Sequence, residues 1–199
     1  MRNRGLSTAD SDLSASTQRL AYRFRNVVAG LPVLLAVFVR WHECENDILV
    51  WTAAGMTFGL GWFIRIWAQQ HLGFLLRKQT TLTRTGPYAL VRNPIYIGNT
   101  LICIGLVVTS ELLWLVPIAL VVCAAAYSLT VHHEERYLAQ RYGQPYLEYT
   151  RDVPRWIPRR QIESRMELIT HRLLPSIRAE AHNLALLIPF MVKELTHIQ

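Results

Sequence analysis

The chain lacks most of the residues that would tie it to a soluble or secreted fold. It has three cysteines in 199 residues, Cys44, Cys103 and Cys123. With no Cys-x-x-Cys pair and no metal-ligand spacing, neither a disulfide framework nor a metal site follows from them. Lysine is nearly missing: arginine supplies nineteen of the 21 basic residues. Acids number only 14, which leaves a net charge of +7. No Gly-x-Gly-x-x-Gly, P-loop or Ser/His/Asp arrangement is visible, which disfavours a soluble Rossmann-type enzyme. Residues 1–21 have no apolar core, so they read as a disordered cytoplasmic tail and not as a cleavable signal.

Apolar length is what the chain has. Hydrophobic residues make up 51% of it, and the mean hydropathy is +0.17. Four stretches are candidate membrane spans: Asn26–Val39, Ile48–Ile64, Ile95–Ser110 and Leu112–Val131. A spanning helix needs roughly 20 apolar residues. The first stretch is shorter, but Arg25 and Arg40 can snorkel from its ends and Trp41 suits an interface. Gly55 and Gly59 form a Gly-x-x-x-Gly, with Gly61 nearby, that predicts close helix packing within the chain.

The expected fold is all-α, a polytopic membrane helix bundle of four to five transmembrane helices. Residues 22–160 form the membrane-embedded domain. Residues 161–199 add C-terminal amphipathic helices, with Pro175 interrupting the first and Leu184–Val192 docked or interfacial.

Charge orients the bundle. The tail up to Arg25 carries five Arg, and Arg77–Arg92 carries four basic residues and no acid. The stretch His132–Arg160 carries six Arg, whereas Arg40–Asp47 has one and the hairpin tip has only Glu111. Basic and non-basic loops alternate, which predicts an integral membrane protein with both termini in the cytoplasm. The basic excess then faces membrane lipid phosphates and not nucleic acid.

Two polar clusters bracket the last two spans. The first is Arg84-Thr85-Gly86-Pro87-Tyr88 with Arg92-Asn93-Pro94-Ile95-Tyr96-Ile97-Gly98. The second is His132-His133-Glu134-Glu135, followed by Tyr142-Gly143, Tyr146, Tyr149 and Val153–Pro158. A hairpin that crosses a membrane and returns brings both to one face. Asn93 is a favoured N-cap type and Pro94 suits a first helical turn. The open N–H groups and positive dipole end there suit a carboxylate or a nucleotide hydroxyl. Thr80–Thr83 is polar and uncharged, and its backbone can pair with an adenine edge. Glu134 and Glu135 lie about 100° apart on a helix, so one is expected inward and the other toward water. His132 and His133 are adjacent, a poor geometry for sharing one metal.

Taken together, these motifs resemble the isoprenylcysteine carboxyl methyltransferase family, and phospholipid N-methyltransferases share part of the pattern. The resemblance covers roughly residues 60–160. It implies S-adenosylmethionine as methyl donor, held at the cytosolic helix ends. Thr80, Thr81, Leu82 and Thr83 would line the cofactor, and Tyr88 would pack on it. Asn93, Pro94 and Tyr96 would border it, and Glu134 would face its polar groups. Two positions depart from the family pattern. Asn93 stands where a His is most frequent, and Thr130 stands where the eukaryotic enzymes carry an Arg held to bind the substrate carboxylate.

The implied reaction is methyl transfer to an amphipathic or lipid-like acceptor, with an isoprenylcysteine-type carboxylate first. A phospholipid or other amine and a thiol are the alternatives. A carboxylate needs no general base, so the protein's work is positioning and exclusion of water. Arg92 and Glu135 are the expected catalytic residues. Arg92, alongside Arg77, Lys78 and Arg136, is a candidate for the acceptor carboxylate, and Glu135 (or His132 or His133) for proton removal from an amine or thiol. An NADPH-dependent membrane reductase and a non-enzymatic scaffold are the competing classes.

Overall fold

Apolar stretches and their breaks set the helix order in the computed structural model, which describes residues 24–39, 47–72, 81–158 and 172–195. The helices are α1 (Phe24–Phe38), α2 (Asp47–Leu72), α3 (Pro87–Leu90), α4 (Pro94–Thr109), α5 (Leu115–Tyr142) and α6 (Gln144–Asp152). After them come α7 (Leu173–Glu180), a 3-10 run (Ala181–Leu187) and α8 (Ile188–Leu195). No strand occurs among the described residues. The fold is an all-α bundle of the membrane type. Ile48–Leu72 and Leu115–Tyr142 are long and apolar enough to cross a membrane, and α1 and α4 are shorter apolar helices. Exposed Val27, Met56 and Val121 give these helices an apolar outer surface, as lipid contact requires.

α2 and α4 make the closest approach. A Cβ on Gly61 would lie 2.7 Å from the Gly98 carbonyl oxygen, and one on Gly105 would lie 2.8 Å from the Phe58 backbone nitrogen. The contact therefore runs through Gly61, Gly98 and Gly105. The Gly55-x-x-x-Gly59 pair expected to pack has no neighbour within 4 Å. Of Gly55, Gly59 and Gly61 only Gly61 meets the neighbouring helix, because which helix face turns inward depends on the partner. The apolar core lies between α1, α2, α4, α5 and α8, around Ala36, Phe58, Leu106, Leu115, Cys123 and Phe190.

The α4–α5 hairpin turns at residues 110–114, where Glu111 takes a positive φ of 64°. α5 does not stop at the apolar boundary but runs on through the second cluster to Tyr142. Gly143, with φ 61°, separates α5 from α6.

One C-terminal expectation needs correction. Pro175 does not interrupt a helix: it sits in the first turn of α7, where an N–H would have no intrahelical partner. Gln161–His171 lies outside the described residues. Leu184–Val192 is docked, one of the two placements expected, with Phe190 buried in the core. Residues 172–195 form one helical run along the bundle. Arg172 donates to the Gln70 carbonyl at one end (3.1 Å), and Lys193 donates to the Val39 and Ser110 carbonyls at the other (3.1 and 3.2 Å). Lys193 thus lies at the hairpin-tip end.

Candidate cofactor and acceptor cavity

The hairpin brings its two polar ends together, and hydrogen bonds lace them. The Arg92 N–H donates to the Pro154 carbonyl (2.9 Å), and the Tyr149 hydroxyl donates to the Tyr88 carbonyl (2.7 Å). Arg84 donates to the Pro145 carbonyl and stacks over the Tyr149 ring at 5.9 Å. Asn93 holds the N-cap position of α4 but makes no side-chain cap; its amide donates to the Arg155 carbonyl at 3.4 Å. The first N–H groups of α4 are thereby left without the expected cap.

Between the clusters lies a cavity of about 690 Å³, within the size range of small-molecule sites. Leu82, Thr83, Tyr88, Asn93, Pro94 and Tyr96 line it from the first cluster. Glu134 and Glu135 line it from α5, and Arg92 from the loop before α4. Thr81 is exposed and is not part of the lining, and Thr80 lies outside the described residues.

Both glutamates face inward, against the expectation that one would face water. The α5 overhang lies against the strap Val153–Pro158, which covers Glu135. The Tyr96 hydroxyl donates to Glu134 Oε1 at 2.7 Å, so Glu134 presents a carboxylate to the cavity with one lone pair taken. Glu135 is held differently. Arg155 grips both its oxygens (3.0 and 2.5 Å), and Arg92 Nη1 lies 3.1 Å from Oε1. Glu135 therefore ties α5 to the strap and to the start of α4. His132 shares a hydrogen bond with Arg136 (3.0 Å), while His133 lines the cavity. Among the described residues no three His, Cys, Asp or Glu side chains gather as metal ligands would.

Burial keeps the tyrosines neutral. It raises the Tyr88 and Tyr149 phenols well above their usual range, aided by their neighbours Tyr149 and Tyr146 respectively. Burial, with the Glu135 charge nearby, pushes Tyr146 from 10.0 up to about 12. The unfolded phenol loses its proton near 10.0 and the native one near 12, so this stability is complete below pH 10 and lost as pH rises from 10 to 12. Alkaline titration should show delayed phenolate absorbance that appears together with unfolding; early, non-cooperative ionisation would contradict it.

Gly86 sets the entry to α3. Its φ is 59°, and a Cβ there would lie 2.2 Å from His71 Nε2, whose ring shares a 2.9 Å hydrogen bond with Thr85. Gly86→Ala should cost about 1–3 kcal/mol, since only glycine holds this backbone without strain. A clear fall in melting temperature is expected; an unchanged melting curve would show that the loop has another conformation.

Motif reading missed polar lining residues outside the two clusters, among them Arg25 and Asn26 on α1, Arg65 and Gln69 on α2, and Asn99 on α4. The available signal was Arg65, a charge inside an apolar span, which is by default a functional position.

Comparison with known proteins adds the chemistry. A model of the phospholipid methyltransferase family matches residues 47–145, about half of the chain. The chain belongs to this family, which takes in the isoprenylcysteine carboxyl methyltransferases. It is a membrane-associated methyltransferase-family protein. It is also similar to the cobalt-zinc-cadmium resistance protein CzcN of Cupriavidus metallidurans, at 30% identity over 129 residues, 65% of this chain and 58% of that protein. The nickel-cobalt-cadmium resistance protein NccN of Alcaligenes xylosoxydans xylosoxydans is 29% identical over 132 residues, 64% of this chain and 60% of that protein. The chain thus spans less than two thirds of either relative's length. No solved structure matches it.

Proposed function

We propose that this phospholipid methyltransferase-family protein uses S-adenosylmethionine to methylate an amphipathic acceptor, with an isoprenylcysteine-type carboxylate as the first candidate. The observation that carries the reading is the single cavity lined by both motifs, with the Glu134 carboxylate held by Tyr96. The donor set fits the cofactor. Glu134 suits a cationic group, the uncapped start of α4 suits an anionic one, and Leu82, Tyr88, Leu138 and Tyr142 offer apolar and aromatic surface for a purine. Bound S-adenosylmethionine would supply an electrophilic methyl to the acceptor oxygen, and the electron pair of the carbon–sulfur bond would remain on sulfur.

The chain's own part is to orient the acceptor and exclude water. Glu135, gripped by two arginines, is better suited to fixing Arg92 than to taking a proton. Should the acceptor be an amine or a thiol, His133 is the remaining cavity base. The basic ends around the cavity support a cytoplasmic opening. The acceptor's tail would enter between helices from the bilayer.

Titration of the purified chain with S-adenosylhomocysteine and with NADPH tests the reading. Binding of the first and not the second is expected; NADPH binding would point to a reductase, and binding of neither to a scaffold. The two relatives' names concern metal resistance. For this chain a part in such resistance would run through its methylated product. Growth of a deletion strain on cadmium, complemented with the parent or with Glu134→Gln, checks that link.

A further inference from the structure

α7 lies outside the family match, yet it reaches the cavity wall. Glu180 closes a bidentate ion pair on Arg65, with Nε to Oε2 at 2.6 Å and Nη2 to Oε1 at 3.0 Å. The pair is deep in the bundle, with Arg65 13% and Glu180 2% exposed. Asn183 donates to Glu180 Oε2 at 2.8 Å, the Trp62 indole donates to the Glu180 carbonyl at 3.0 Å, and Arg65 Nη1 donates to Asn99 Oδ1. A charge pair inside a membrane bundle costs several kcal/mol per ion in desolvation, so it persists where something beyond packing requires it.

A guanidinium has five N–H donors. Three are used here, which leaves one on each terminal nitrogen. Arg65 and Asn99 both line the cavity. Asn99 lies five residues beyond Pro94, so about 7.5 Å further toward the hairpin tip. These donors therefore lie further toward the hairpin tip than Asn93, Pro94 and Tyr96. Thr130, at the position of the expected substrate arginine, cannot do this work: it is fully buried, outside the cavity lining, and donates to the Ala126 carbonyl of its own helix.

We propose that Arg65 binds the anionic oxygen of the acceptor's reacting end, and that Glu180 is a positioning residue that aims the guanidinium and neutralises it between substrates. This rests on the methyltransferase reading above. It makes the C-terminal helical run part of the acceptor site. An acceptor that arrives as a carboxylate and leaves as an ester loses the charge that Arg65 holds, which favours product release.

The test uses the full chain in detergent, with S-farnesyl-N-acetylcysteine and its methyl amide as acid and neutral probes. The parent should bind the acid at least about tenfold tighter than the amide, the size of one charge-assisted contact. Glu180→Gln leaves Arg65 unpaired and should lower the melting temperature. Replacing the pair as a unit, Arg65→Met with Glu180→Met, should restore the melting temperature, since apolar replacement of a whole buried pair is often neutral. That double variant should keep S-adenosylhomocysteine affinity within about threefold, because the cofactor residues are untouched, yet lose the preference for acid over amide. A double variant that keeps the preference would overturn the proposal, as would a parent that binds both probes equally. A parent that fails to bind S-adenosylhomocysteine would instead defeat the methyltransferase reading itself.

Discussion

Glu134→Gln should weaken S-adenosylhomocysteine binding by about 10- to 100-fold, the loss expected when a charge-assisted hydrogen bond in a half-buried site becomes a neutral one. The substitution preserves size, and a glutamine oxygen can still accept from the Tyr96 hydroxyl. What disappears is the negative charge that the cavity offers to a cation. Affinity for S-adenosylmethionine, which carries a sulfonium in addition to its ammonium, should fall further than affinity for S-adenosylhomocysteine if the carboxylate faces sulfur. Tyr96→Phe removes one hydrogen bond and keeps the charge, so its effect should be smaller. Calorimetric titration of the three proteins with both ligands decides the matter. Unchanged affinity in Glu134→Gln would remove Glu134 from the cofactor site.

The second large effect is expected at Glu135, and it is mechanical. Arg92 and Arg155 share its carboxylate, so Glu135→Gln leaves two guanidiniums facing each other without a counter-charge. Breaking a fully buried pair costs about 3–5 kcal/mol. Here about 2 kcal/mol is the better figure, because Arg155 is 39% exposed and water screens it. The strap Val153–Pro158 should loosen from the start of α4, lowering both the melting temperature and cofactor affinity. The pH profile of methyl transfer separates this role from that of a base. A clamp variant has a lower rate at every pH with the profile unchanged in shape, and Glu135→Asp rescues part of it. Loss of one limb of the profile would identify Glu135 as the proton acceptor instead.

The pairing of the two clusters was legible before any coordinates, because it needs only apolar length and a hairpin. Ile95–Ser110 and Leu112–Val131 match α4 and the apolar part of α5, and the break falls at Glu111. Nine expected site residues meet at one cavity for that reason. The misses share a physical cause. A one-dimensional pattern shows which residues are polar but not which helix face turns inward. Gly55 and Gly59 were ranked ahead of the nearby Gly61, and only one of Glu134 and Glu135 was expected inward, because each placement depends on a partner far along the chain. Asn93 fits an N-cap by type, yet its amide is drawn away by Arg155, 62 residues later.

Composition and patterning by themselves determined an all-α membrane bundle, its alternation of basic and non-basic loops, and the two polar clusters that meet at one cavity. These follow from local properties: hydrocarbon length, loop charge and helix-start preferences. Only the tertiary structure decided that residues 172–195 run the length of the bundle, that Glu180 meets Arg65 across 115 residues, and that Lys193 ends at the hairpin tip. Each of those contacts lets a charge be buried because a specific partner is present, and no periodicity in the chain announces which partner that will be.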